Sequence, residues 1–193
     1  MQSGWRAPRK NAKSESRDAK NLSRALQRDP SLRYPSRMVW KPDVTVAAVI
    51  ERDGRFLLVE ERIRGKLVLN QPAGHLEDGE SLIDAVIRET LEETAWTFVP
   101  QWLLGLYLWR SPRGRTTLRL TFTGVVNDFD AGRTLDPPVI ATHWLTPQEI
   151  RTRSARLRTE LVTRCIDDFL SGRRLPLEAA AHLVTEPAPA SSS

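Results

Sequence analysis

Gly74-His75-Leu76-Glu77-Asp78-Gly79-Glu80-Ser81-Leu82-Ile83-Asp84-Ala85-Val86-Ile87-Arg88-Glu89-Thr90-Leu91-Glu92-Glu93-Thr94-Ala95-Trp96 is the stretch on which the reading of the chain turns. Asp78-Gly79 makes a turn, and Ser81 with Asp84 three residues on is a spacing that starts a helix, because the Ser oxygen accepts from an orphan backbone N–H. The helix is predicted to run to about Thr94. On its surface Ile83, Val86, Ile87, Thr90 and Leu91 collect on one side, and Glu89, Glu92 and Glu93 collect on another.

Three carboxylates at helical spacing repel one another by a few tenths of a kcal/mol per pair. A divalent cation reverses that sign. Clustered hard oxygens beside a Gly-bearing turn suit Mg²⁺ or Mn²⁺, which keep several waters and bridge to phosphate oxygens. Arg88, next to Glu89, is placed to hold that carboxylate in one orientation. On spacing alone the cluster is either such a ligand set or a solvated acidic face, since charge runs are commonly the latter.

The stretch resembles the signature of the Nudix hydrolases, G-x5-E-x7-R-E-U-x-E-E-x-G-U with U aliphatic, through Gly74, Glu80, Arg88, Glu89, Glu92 and Glu93. Two positions depart from it. Thr90 replaces an aliphatic residue but keeps a β-branched methyl. Ala95 replaces a glycine that ends the helix in a left-handed conformation, where a Cβ costs about 1 kcal/mol. The likeness extends to Lys41-Pro42-Asp43-Val44-Thr45-Val46-Ala47, Asn70-Gln71-Pro72-Ala73, His143-Trp144-Leu145 and Ser171 to Leu177, and is similar to a bacterial branch of Nudix phosphatases over roughly residues 39–183.

That resemblance implies an α/β fold, a mixed β-sheet in an α/β/α sandwich. It also implies a magnesium-dependent hydrolase of nucleoside tri- and diphosphates and of small pyrophosphates such as that of hydroxymethylpyrimidine, with stepwise release of phosphate. Glu89, Glu92 and Glu93, with the Gly74 carbonyl, are the expected Mg²⁺ ligands, Mn²⁺ being the substitute. Glu89, Glu92, Glu93 and Arg88 form the expected catalytic set. The general base is one of these glutamates or an acid outside the stretch such as Asp136, which equally reads as a turn residue before Pro137-Pro138. Glu80 supports the start of the helix or joins the ligands, and Glu77 carries the same alternatives. For the substrate, His75 in the turn, Tyr107 and Trp109 two apart on one strand face, and Arg62 and Arg64 in a charged loop Glu61–Lys66 are the candidates.

Around this centre the chain reads as strands: Val44–Ile50, Arg55–Glu60 after an Asp53-Gly54 turn, Leu67–Leu69, Trp102–Trp109, Thr117–Val126 and Val139–Leu145. Thr146-Pro147 opens a short helix, and a last one spans roughly Leu157–Leu170 before Gly172. No apolar run is long enough for a membrane span. The single Cys165 excludes an internal disulfide framework and fits a reducing, cytoplasmic setting.

The sequence pI of 9.9 points to nucleic acid, but the charge is unevenly placed. Residues 1–41 hold eleven Lys and Arg against three acids, whereas the remainder holds eighteen against twenty-one. Residues 1–37 therefore read as a basic, disordered extension, Met38 as the natural start of a domain over 38–184, and 185–193 as a flexible tail. Expected partners are a nucleotide or small pyrophosphate, and no membrane. Nucleic acid is met weakly through the basic extension, and the chain acts as a monomer or homodimer. Rival readings are a pyrophosphatase of ADP-ribose or another nucleotide sugar, suggested by Pro112 sixteen residues after Trp96, and a non-catalytic ligand-binding regulator. If the extension lies outside the domain, a chain beginning at Met38 keeps the turnover and melting temperature of the full chain and loses only salt-sensitive RNA retention. Parallel assays and melting curves of the two chains check this, and a marked drop in either overturns it.

Overall fold

A computed structural model describes residues 40–183; the expectations placed on residues 1–37, Met38 and 185–193 lie outside them. Strand β1 (Asp43–Arg52) is buried from Val46 to Ile50, five residues without a polar side chain, as a strand covered on both faces requires. Asp53-Gly54, both at positive φ, turns it into β2 (Arg55–Ile63), and Arg64-Gly65 repeats the device to start β3 (Lys66–Asn70). The charged loop expected at Glu61–Lys66 is thus a hairpin: Glu61, Arg62 and Ile63 pair with Val68, Leu67 and Lys66. A short strand absent from the sequence reading, β4 (Ala73–His75), lies antiparallel to β1, Gly74 opposite Val46.

Strand β5 (Trp96–Arg110) pairs antiparallel with β6 (Thr116–Phe129), and β6 lies parallel to β1 over Asp43–Ile50. Strand β7 (Val139–Leu145) pairs with β2. The result is a seven-stranded mixed sheet in the order β3-β2-β1-β6-β5, with β4 added to β1 and β7 to β2. Side chains alternate between its faces. Helix α1 (Leu82–Thr94) packs Ala85 and Val86 against Val46, Ala48, Leu120 and Phe122. On the opposite face, α3 (Leu161–Leu170) packs Val162, Cys165 and Ile166 with Val49, Leu104 and Tyr107. The expected α/β/α sandwich is this arrangement.

Local chemistry sets the ends of α1. Ser81 Oγ accepts from Asp84 N at 3.0 Å and donates to the Asp84 carboxylate at 2.6 Å. Thr90 is fully buried, and its hydroxyl donates to Val86 O at 2.7 Å, so the helix itself satisfies the polar atom at this departure from the family pattern. Ala95 stands at φ 60° and ψ 12°, and its N–H closes the last turn on Leu91 O. Helix α2 (Pro147–Thr152) is capped reciprocally: Glu149 N donates to Thr146 Oγ1, and Thr146 N to the Glu149 carboxylate. Helix α3 starts later than expected because Leu157 bridges to Leu69 and Arg158 N donates to Leu69 O, which ties residues 157 and 158 to β3.

Among the described residues no helix is long and apolar enough to cross a membrane. The left-handed Ala95 is strained by its Cβ, so Ala95→Gly is expected to be neutral or to stabilise by up to about 1 kcal/mol. Loss of the small buried methyl works against part of that gain. Denaturant unfolding of the two proteins measures the balance, and a clear loss of stability contradicts it.

Candidate active site

The sheet face left open by α3 is the floor of a cleft of about 530 Å³. Strand register builds it: His75 on β4 stands opposite Thr45 on β1, and Thr45 stands beside Arg119 on β6. Directly paired residues share a face, so these three side chains form one row. Trp109 on β5 pairs with Thr117 on β6 in the neighbouring row. Residues 158–161 form a wall, and Glu89 and Glu93 of α1 reach the cleft over Ala73 and Gly74.

Glu93 is buried and accepts from Ala73 N at 2.8 Å. Burial outweighs that bond and, with the nearby Glu89 charge, pushes the Glu93 carboxyl up to about 8. Burial also raises Glu89, although Arg88 works against it. The Glu89 carboxylate lies where a Cβ on Gly74 would stand, about 2 Å from each of its oxygens, so any side chain there would push that carboxylate out of its place. Arg88 holds the cluster together: its guanidinium donates to Glu80 at 2.8 and 2.9 Å, to Glu89 at 2.8 Å and to Glu92 at 3.0 Å. It also donates to His75 O at 3.1 Å, which joins α1 to β4. The assembled carboxylates keep Arg88 charged, raising it well above the usual arginine range.

The donor set has the chemistry for a hard divalent cation: two partly dehydrated carboxylates, both raised by burial, converge on one strand. Among the described residues, however, no three His, Cys, Asp or Glu side chains form a ready cage. Glu92 is instead held by Arg88, which donates to its carboxylate at 3.0 Å. The residues fit a cation that takes its remaining ligands from backbone, water and substrate.

Of the substrate candidates, His75 and Trp109 line the cleft. Trp109 is oriented by a bond from Nε1 to Glu160 at 2.9 Å. Tyr107 does not line it: the ring is in the core and its hydroxyl donates to Asp168 at 2.9 Å. Arg62 and Arg64 are outside as well, because the two-residue turn carries them along the β2–β3 hairpin. Asp136 is an exposed turn residue whose N–H donates to Glu92 O, also outside the lining. Pro112 stands in the β5–β6 turn, again away from the cleft. In their place the fold brings Arg115, Arg119 and Arg158 to the cleft. Arg119 on β6 and Arg115, just before it, are four apart and so fall on one face at the strand period of two, the one signal that could have found them; Arg158 gave none.

The NUDIX domain model matches residues 40–165, and the chain belongs to that family as a Nudix hydrolase. It is similar to Phosphatase NudJ of Escherichia coli (strain K12), 39% identical over 140 residues that cover 72% of this chain and 91% of the relative. Among solved structures it is similar to a NUDIX hydrolase from Nitrosomonas europaea, with 50% identity, a TM-score of 0.72, and coverage of 74% of this chain and 98% of that one. The NUDIX domain of Shewanella oneidensis NrtR, solved with ADP ribose, shares the fold at 18% identity and a TM-score of 0.57.

Folded Glu93 keeps its proton up to about pH 8, against an ordinary value of 4.5, so the folded state binds more protons across that window. Stability contributed by this group is present below pH 4.5 and falls as pH rises towards 8. In metal-free buffer, Glu93→Gln should lack this part of the decline. Melting curves of both proteins from pH 5 to 8 test the sign, and parallel curves refute it.

Proposed function

We propose that the protein is a Mg²⁺-dependent phosphohydrolase of nucleoside tri- and diphosphates and small pyrophosphates, including the hydroxymethylpyrimidine type, releasing phosphate stepwise. Mn²⁺ suits the same oxygens. The carrying observation is that Glu89 and Glu93 sit on one cleft with Arg115, Arg119 and Arg158, so acidic ligands for a cation adjoin a cationic wall for phosphates. The similarity to Phosphatase NudJ supports the same class.

Glu89 and Glu93 would hold the cation, Glu92 joining them once it leaves Arg88. Gly74 remains the position that admits Glu89. For the carbonyl ligand, Ala73 suits better than Gly74. Gly74 faces Val46 across the ladder, whereas Ala73 N–H and His75 O turn to α1. When bound, Mg²⁺ neutralises phosphate charge and lowers the pKa of an attacking water. Arg88 keeps Glu89 oriented, and Glu89, raised by burial yet held by that arginine, is the glutamate best placed to take a proton from water. Arg115, Arg119 and Arg158 neutralise the phosphate oxygens remote from the cation. The free, buried Cys165 is compatible with the reducing cytoplasm as the place of action.

Glu89→Gln keeps the shape and removes the charge, so Mg²⁺-dependent turnover should fall by about a hundredfold or more while the fold persists. Saturating Mg²⁺ should raise the wild-type melting temperature and raise that of Glu93→Gln less. Phosphate release from a panel of nucleotides and pyrophosphates, with parallel melting curves, decides both; unchanged turnover in Glu89→Gln refutes the assignment.

A further inference from the structure

Glu61 on β2 is fully buried, and it is not among the carboxylates that reach the cleft. A charge so placed costs stability unless it is paired and hydrogen-bonded. Its pairing is specific. Oε1 accepts from Asn70 Nδ2 at 3.1 Å, and Oε2 accepts from Arg158 Nη1 in an ion pair. Strand register makes the first bond: Asn70 stands opposite Val59, so Glu61, two residues along, is its diagonal neighbour on the same sheet face.

Arg158 is buried at one end only. Its side chain is 44% exposed, and it lines the cleft. A guanidinium carries five N–H donors in a fixed plane. Among the described residues the bond to Glu61 is the one hydrogen bond this side chain makes, so most of the fork is left for a ligand. The backbone is fixed as well, since Arg158 N donates to Leu69 O at 2.9 Å. An arginine tethered at its backbone and at one nitrogen loses little further freedom when it grips an anion.

We propose that Glu61 is a positioning residue: it touches no substrate, but its buried carboxylate sets the Arg158 guanidinium at the cleft wall, where the open N–H groups take phosphate oxygens. The inference rests on the phosphohydrolase reading for the identity of the anion. The tether itself does not. A carboxylate that merely neutralised Arg158 would weaken its attraction for phosphate, whereas one that orients it strengthens the contact. Burial and the bond from Asn70 favour orientation, because they keep Glu61 from following the arginine. The same strand supplies a comparison. Glu60 clasps Arg156, two residues before Arg158, and contacts His143 Nε2 at 3.0 Å, yet neither Glu60 nor Arg156 lines the cleft.

The test measures ATP hydrolysis with Mg²⁺ by the full-length protein. Glu61→Gln, which keeps the shape, should raise KM about tenfold or more and leave kcat close to wild type, while Glu60→Gln leaves KM unchanged. Arg158→Ala should raise KM as much, and the double variant no further, because the carboxylate acts through the arginine. Melting curves separate a tether from packing: Arg158→Ala strands a buried charge and melts lower, and adding Glu61→Gln recovers part of the loss. Calorimetry of inorganic pyrophosphate with the Glu89→Gln protein and Mg²⁺ repeats the comparison without turnover. If ATP is not hydrolysed but pyrophosphate binding weakens when Glu61→Gln is added, the phosphohydrolase reading fails and the tether stands. No hydrolysis and no pyrophosphate binding overturn both. An unchanged or lower KM in Glu61→Gln, an equal rise in Glu60→Gln, or losses that add in the double variant overturn the role of Glu61 alone.

Discussion

The geometry of this protein depends on one arginine facing several carboxylates. Glu80, Glu89 and Glu92 would drive one another apart on an isolated helix, and Arg88 gathers them. Its fork spans three partners at once, which a lysine ammonium could not match in fixed geometry. The same guanidinium reaches His75 O and ties α1 to β4. The carboxylates therefore meet the strand edge in a set orientation, and the lack of a Cβ on Gly74 lets Glu89 come fully against the backbone.

Glu93 shows what that arrangement costs. It is buried and bonded to Ala73 N–H, and its burial makes it prefer its proton near neutral pH. Such a group opposes folding of the metal-free chain at higher pH and supports it once a cation binds, which couples stability to occupancy of the site. Another part of the same cleft has the complementary character. Arg119 is buried enough to be pushed below the usual arginine range, and Glu93 supplies part of its compensating charge. Acid and base thus adjoin across one cavity, which suits a ligand that carries cation and phosphate together.

Several readings came directly from local chemistry. Apolar runs and the Asp53-Gly54 turn gave β1 and β7 to within two residues at either end, because hairpin turns and strand burial depend on a few adjacent side chains, whereas β2 runs three residues past the expected Glu60. Ser81, Thr146-Pro147 and Gly172 marked helix ends for the same reason. The left-handed Ala95 was legible from its departure at a position that requires positive φ. Where the reading slipped, the deciding contacts were distant. Tyr107 and Trp109 are two apart on one strand face, yet α3 covers the first with Asp168 and leaves the second on the cleft.

The sequence by itself determined the acidic helix, its arginine, the glycine before it and the class of chemistry they serve, since all lie within 23 residues and act through helical spacing. Tertiary structure decided which other residues face them. Arg119 enters the cleft because β6 runs parallel beside β1, and Asn70 is turned by Glu61 and Arg158, the latter nearly ninety residues further along. Nothing local distinguishes those arginines from the exposed Arg62 and Arg64. The difference lies in strand pairing, and pairing is set by burial of whole sheet faces rather than by any short motif.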